Sequence, residues 1–115
     1  MIFVFLDDQT LDVVDELENI QGAYEGIDVE DGVYTFFNDK FRRLIPRFVI
    51  PNERSSFFGL FGGVQSGTYV LEPESASKKE EFLYHLGRLD SVNPNRWFKT
   101  VEDVRKFAME KNNDA

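Results

Sequence analysis

The sequence predicts an α+β fold: a mostly antiparallel sheet of about four to five strands with one N-terminal and two C-terminal helices, in a single domain over residues 1–115. Three observations carry this. Hydrophobic periodicity gives the order strand, helix, several strands, helix, helix, without the strand–helix alternation that a parallel doubly wound sheet requires. The length of 115 residues, with 42% hydrophobic and 30% charged residues, suits one soluble globular domain with one real core. The absence of cysteine, with a single histidine, excludes disulfide frameworks, thiolate metal sites and most zinc chemistry.

The run Met1–Leu6 is rich in β-branched and aromatic residues and stops at Asp7 and Asp8, so it reads as a strand buried on both faces. Thr10 is a candidate cap for a helix that places Leu11, Val14 and Leu17 on one face and Asp12, Asp15, Glu16 and Asn19 toward solvent. Ile27 and Val29, then Glu30-Asp31-Gly32, then Val33–Phe37 have the form of a hairpin whose Asp-Gly pair supplies positive φ angles. Phe41–Ile50 reads as a further strand, in which Pro46 demands an edge or a bulge. Gly67–Leu71 reads as another, closed by Pro73.

Between these strands, Phe57, Phe58, Leu60 and Phe61 alternate with glycines. That pattern fits a short core strand ending in a glycine turn, or an apolar loop that docks on a partner. Ser77 with Glu80 has the spacing of a capping box for a helix carrying Phe82, Leu83, Leu86 and Leu89 at helical intervals. Asn93-Pro94-Asn95 is a turn, and Trp97 and Phe98 anchor the chain to the core. Thr100 with Asp103 caps a last helix with Val101, Val104, Phe107 and Ala108 inward.

The net charge of −8 is unevenly spread. Residues 1–39 hold eleven acids and no lysine or arginine, whereas residues 40–54 hold Lys40, Arg42, Arg43, Arg47 and Arg54 against Glu53 alone. The basic segment neutralises part of the acidic one if the two pack as neighbouring strands. What stays uncompensated repels nucleic acid and attracts basic partners. Arg42, Arg43 and Arg47 interleave with Phe41 and Phe48 as on some nucleic-acid surfaces, yet the overall charge opposes that use. Ile2–Leu6 is too short, and lacks the basic flank, for a signal peptide, and the uncharged stretch Ser55–Leu71 is too polar to span a bilayer, so a cytoplasmic protein is expected.

No motif names a reaction. Asp7 and Asp8, directly after the first strand, suit a magnesium-dependent hydrolase only if they converge, with His85 as a further candidate. Glu25, Asp28, Glu30 and Asp31 fail the ligand spacing of a calcium-binding EF-hand loop. Gly62-Gly63-Val64-Gln65-Ser66-Gly67 lacks the Lys-Ser/Thr of a phosphate loop. No cofactor and no catalytic residue is expected.

The segment Glu25-Gly26-Ile27-Asp28-Val29-Glu30-Asp31-Gly32-Val33-Tyr34 resembles one in small acidic bacterial proteins of similar size. The segment Trp97-Phe98-Lys99-Thr100-Val101-Glu102-Asp103-Val104 is similar to one in toxin-immunity proteins. The two segments cover under a fifth of the chain, and the resemblance implies an inhibitor that occupies a toxin's active site or its approaches. Combined with the charge map, the expected function is neutralisation of a basic nuclease-type toxin. The expected contacts are Asp12, Asp15, Glu16, Asp28, Glu30 and Asp31, with aromatic anchors among Phe57, Phe58 and Phe61. The alternatives are a non-catalytic subunit of a bacterial complex and a small hydrolase using Asp7 and Asp8.

Overall fold

The computed structural model describes residues 1–15, 20–54 and 64–111. The elements in chain order are β1 (Ile2–Leu6), β2 (Thr10–Val14), α1 (Ile20–Ala23), α2 (Gly26–Glu30), β3 (Tyr34–Asn38), β4 (Arg43–Ile50), β5 (Glu53–Arg54), β6 (Val64–Gln65), β7 (Thr68–Pro73), α3 (Lys79–Leu86), β8 (Ser91–Val92) and α4 (Val101–Glu110). Six strands form one sheet in the order β7-β4-β3-β1-β2-β8, and β5 pairs with β6 apart from it. Every pair in the large sheet is antiparallel except β2 with β8. The fold is therefore α+β and mostly antiparallel, with more strands and helices than the periodicity predicts.

β1 is central, and the pleat sends its side chains to two separate cores. Phe3 and Phe5 join Leu11, Val13, Phe37 and Phe41 under α3 and α4, while Ile2 and Val4 join Ile20, Tyr24, Val29 and Phe36 on the opposite face. Phe82 of α3 organises the first core: its ring lies 4.8–5.4 Å from those of Phe3, Phe5, Phe37 and Phe41. These are edge-on contacts, the arrangement favoured by aromatic quadrupoles.

Thr10–Val14 is a strand, not the amino-terminal helix that the spacing of Leu11 and Val14 predicts. Leu11 and Val13 are both buried, opposite Phe5 and Phe3 of β1, so the period is two. A tight turn makes the pairing possible. Asp8 Oδ1 accepts from the Thr10 amide at 3.1 Å and from its hydroxyl at 2.6 Å, and Gln9 takes the left-handed φ of 66°. The predicted helix face of Asp12, Asp15 and Glu16 therefore does not form as drawn; Glu16 and Leu17 lie outside the described residues.

The predicted hairpin at Glu30-Asp31-Gly32 is a helix end instead. Gly32 does adopt a positive φ, 77°. It does so one residue past the α2 cap, where its amide donates to Val29 O and the Val33 amide to Asp28 O, which is a Schellman closure. The same Asp-Gly chemistry that suits a two-residue hairpin serves here as a helix stop.

Among the described residues, Pro46 sits where β4 has a neighbour on one side only, since pairing with β3 ends at Leu44. The Glu74 amide donates to Arg43 O, so on β4 the odd-numbered positions from 43 to 47 bond to β7, and Pro46 lacks its N–H on the side that β3 has left. A register shift between Phe48 and Ile50 adds the expected bulge. The same alternation turns the backbone groups of Tyr69, Leu71 and Pro73 of β7 away from β4, toward the sheet edge. There the Tyr69 amide donates to Gln21 Oε1 at 3.1 Å, and Pro73 has no amide to offer.

α3 begins at Lys79 without a side-chain cap, so the predicted Ser77–Glu80 box is not made. The Lys78 amide instead donates to Phe41 O at 2.7 Å, and Ser77 Oγ is buried without a partner. The second box forms as predicted: Thr100 Oγ1 accepts from the Asp103 amide, and Asp103 Oδ2 accepts from the Thr100 and Lys99 amides. Ahead of it, Asn95 Oδ1 accepts from the Trp97 and Phe98 amides. Among the described residues no helix is long and apolar enough to cross a membrane.

Candidate functional site

The basic segment does pack as a strand beside the acidic third, through β3, but not beside β2. β4 adjoins β3 and β7, and its arginines reach acids of the C-terminal half: Arg43 Nη1 donates to Glu81 at 2.8 Å, and Arg47 pairs with Glu72. Arg96, from the loop before α4, pairs with Asp15 at 2.5 Å.

Of the predicted contact residues, Asp12 is partly buried and committed to the fold. Its Oδ2 accepts from Tyr24 Oη at 2.5 Å and its Oδ1 from Asn93 Nδ2 at 2.6 Å, tying α1, β2 and the segment after β8 together. Burial raises the Tyr24 hydroxyl far above its ordinary pKa, and the Asp12 carboxylate adds to the shift. Asp28 is partly buried in α2, while Glu30 and Asp31 are exposed at its carboxyl end. Phe57, Phe58 and Phe61 lie, like Glu16, outside the described residues.

An acidic surface nevertheless assembles around Tyr34. This residue opens β3 opposite Leu6, and its ring stands 4.8 Å from that of Tyr24. Its hydroxyl pKa is raised, first by burial and then by Asp28, Asp12, Glu25 and Asp7 in turn. These carboxylates come from four segments: the turn after β1, β2, the residue before α2, and α2 itself. Sequence reasoning missed Tyr34 because its proximity to Asp7 and Asp12 is created by the β1–β3 and β1–β2 pairings, to which no local pattern points, and it weighed Glu25 only as a calcium-loop ligand.

Asp7 and Asp8 do not converge. Asp8 is spent on Thr10, whereas Asp7 lines a cavity of about 270 Å³ with His85. His85 packs against Phe5, ring centroids 5.3 Å apart. Burial lowers its pKa against the opposing influence of Glu81, so the imidazole is held toward its neutral form. Among the described residues no group of three or more acidic, histidine or cysteine side chains is arranged to hold a metal ion.

Apolar surface is concentrated elsewhere. Ile45, Val49, Ile50 and Val70 are exposed on the β4–β7 ribbon, Val49 and Ile50 by more than half. Ile2, Ile20, Leu44, Tyr69 and Leu71 line a groove of about 960 Å³. No protein-family model matches the chain, and neither the curated proteins nor the solved structures match it.

Proposed function

We propose that the chain is a protein-binding inhibitor of the immunity type, which neutralises a basic nuclease-type toxin in the bacterial cytoplasm by occluding its cationic site, with neither cofactor nor catalytic group. The observation that supports this reading is the acidic field that Asp28, Asp12, Glu25 and Asp7 place on Tyr34, whose ring packs 4.8 Å from that of Tyr24. A nuclease holds nucleic acid through a cationic cleft, and a fixed array of carboxylates competes for the same cations. A partly buried aromatic ring beside such carboxylates suits the desolvated contact that carries binding energy at interfaces. Glu30 and Asp31, exposed on the adjoining end of α2, extend the surface.

The test is affinity capture of the tagged protein from its native host with elution in rising salt, followed by nuclease assay of whatever leaves the column. The reading expects a basic nuclease, bound in equal stoichiometry, released by salt and inhibited by the intact protein. Reversing Glu25 and Asp28 together to lysine should weaken that complex and flatten its salt dependence; unchanged affinity would refute the surface assignment.

A second reading, a non-catalytic subunit of a larger complex, draws on the exposed Ile45, Val49, Ile50 and Val70. It expects a partner that resists salt elution and is lost on replacing Val49 and Val70 by serine.

A further inference from the structure

The cavity beside His85 lies between the β1–β2 turn and the carboxyl end of α3, on elements distinct from the apolar ribbon. Its walls hold one carboxylate, Asp7, and one guanidinium, Arg88. Among the described residues neither has an ionic partner, although both line this one small space. Arg88 is held otherwise: its Nη1 donates to Tyr84 Oη at 2.8 Å and its guanidinium carbon lies 5.5 Å from the centre of the Tyr84 ring. That contact leaves most of the guanidinium's five donors free for a ligand.

We propose that this cavity binds a zwitterionic small molecule of amino-acid size, with its ammonium group on Asp7 and its carboxylate on Arg88. The fixed charges of the lining balance at one each, in a chain whose net charge is −8, so the site favours neither a simple cation nor a simple anion. Phe5, Leu6 and Val33 provide the apolar part of the wall. The volume of about 270 Å³ falls below the range of about 300–1,000 Å³ usual for drug-sized ligands, which suits a smaller molecule. The neutral imidazole of His85 supplies one donor and one acceptor to the same space. Gln9, also in the lining, holds a left-handed backbone unusual for a residue other than glycine, and the Asp90 amide locks it by donating to Gln9 O at 2.8 Å. Strained, over-determined backbone of this kind concentrates at ligand sites.

The experiment is titration of the ¹⁵N-labelled full chain with glycine, L-alanine, L-glutamine, L-glutamate and L-phenylalanine, each compared with its N-acetyl and methyl ester forms. The proposal expects saturable shifts of the Asp7, Gln9, Val33 and Arg88 amides with at least one free amino acid. Removing either charge of that ligand, or introducing Asp7→Asn or Arg88→Gln, should weaken binding by about tenfold or more. Asp7 and Arg88 are exposed, so both variants should retain the parent circular dichroism. Tyr84→Phe, which frees the guanidinium without removing its charge, should weaken binding less than Arg88→Gln. Absence of saturable shifts up to about 10 mM ligand would overturn the proposal, as would binding indifferent to the esters, the acetyl forms or the two charge variants. No protein partner enters this assay, so its failure is distinguishable from failure of the inhibitor reading, although Asp7 serves both.

Discussion

Tyr24 donates its hydroxyl to Asp12 Oδ2 across 2.5 Å, joining the residue that follows α1 to the strand next to the centre of the sheet. Asp12 receives a second bond from Asn93 Nδ2, so one carboxylate holds three segments that are far apart in the chain. Tyr24→Phe strips the carboxylate of a donor in a partly buried setting and should cost about 1–3 kcal/mol in urea unfolding. A loss well below this range would mean that water replaces the tyrosine hydroxyl without penalty.

Phe82 touches four phenylalanine rings and has no exposed surface. Phe82→Ala should destabilise the protein by about 3–5 kcal/mol, a large part of the total stability of a domain this size. Phe82→Leu keeps most of the volume and should lose markedly less; equal losses would show that bulk at this position is unimportant.

Two glycines should respond in opposite directions to alanine. A Cβ on Gly67 would stand 1.9 Å from the carbonyl oxygen of Ile50, which is backbone and cannot rotate away, while one on Gly22 meets nothing within 4 Å. Gly67→Ala should therefore destabilise by about 1–3 kcal/mol or more. Gly22→Ala, within α1, should stabilise by about 0.4–1 kcal/mol through the unfolded chain's lost freedom. Thermal melts of the two variants side by side decide the matter.

Acid should weaken the fold through His85. Burial holds its pKa below the ordinary 6.5, so over the interval between the lowered and ordinary values the unfolded chain binds more protons than the folded one. Stability consequently rises with pH through that interval and is lost as pH falls below 6.5. At lower pH Asp103 acts in the same direction. Hydrogen bonds to its carboxylate, from the Lys99 amide foremost, depress its pKa, so the α4 cap is present above the ordinary carboxylate range and lost as pH falls through the lowered value. His85→Asn should flatten the upper part of the unfolding-versus-pH curve and leave the lower part in place; an unaltered curve would assign the acid sensitivity to other groups.

The legible parts of the chain are those decided locally. β1 is announced by an unbroken apolar run, α4 by its capping box, the positive φ of Gly32 by the Asp-Gly pair, and the one-sided stretch of β4 by Pro46. Thr10–Val14 was not legible because Leu11 and Val14 satisfy a helical period while Leu11 and Val13 satisfy a strand period. Pairing with β1 decides between them, and that contact depends on the turn that Asp8 builds. α2 shows the same ambiguity: its Gly-terminated end carries the sequence of a hairpin turn, and only the choice of hydrogen-bond partner separates the two. The candidate site follows suit. The excess of acid over residues 1–39 is plain from the residues, whereas the joint influence of Asp7 and Asp12 on Tyr34 exists only once three strands are in register.

The outer edge of β7 has a consequence for behaviour at high concentration. A foreign strand arriving along Tyr69, Leu71 and Pro73 would find only Leu71 with an amide to give, since the Tyr69 amide is already bonded to Gln21 and Pro73 has none. Such a strand would gain a ladder with few rungs, so this six-residue edge is a poor template for further strand pairing although apolar side chains stand close beside it. Gln21, an exposed and chemically plain side chain, thereby occupies one of the few rungs that an incoming strand would need.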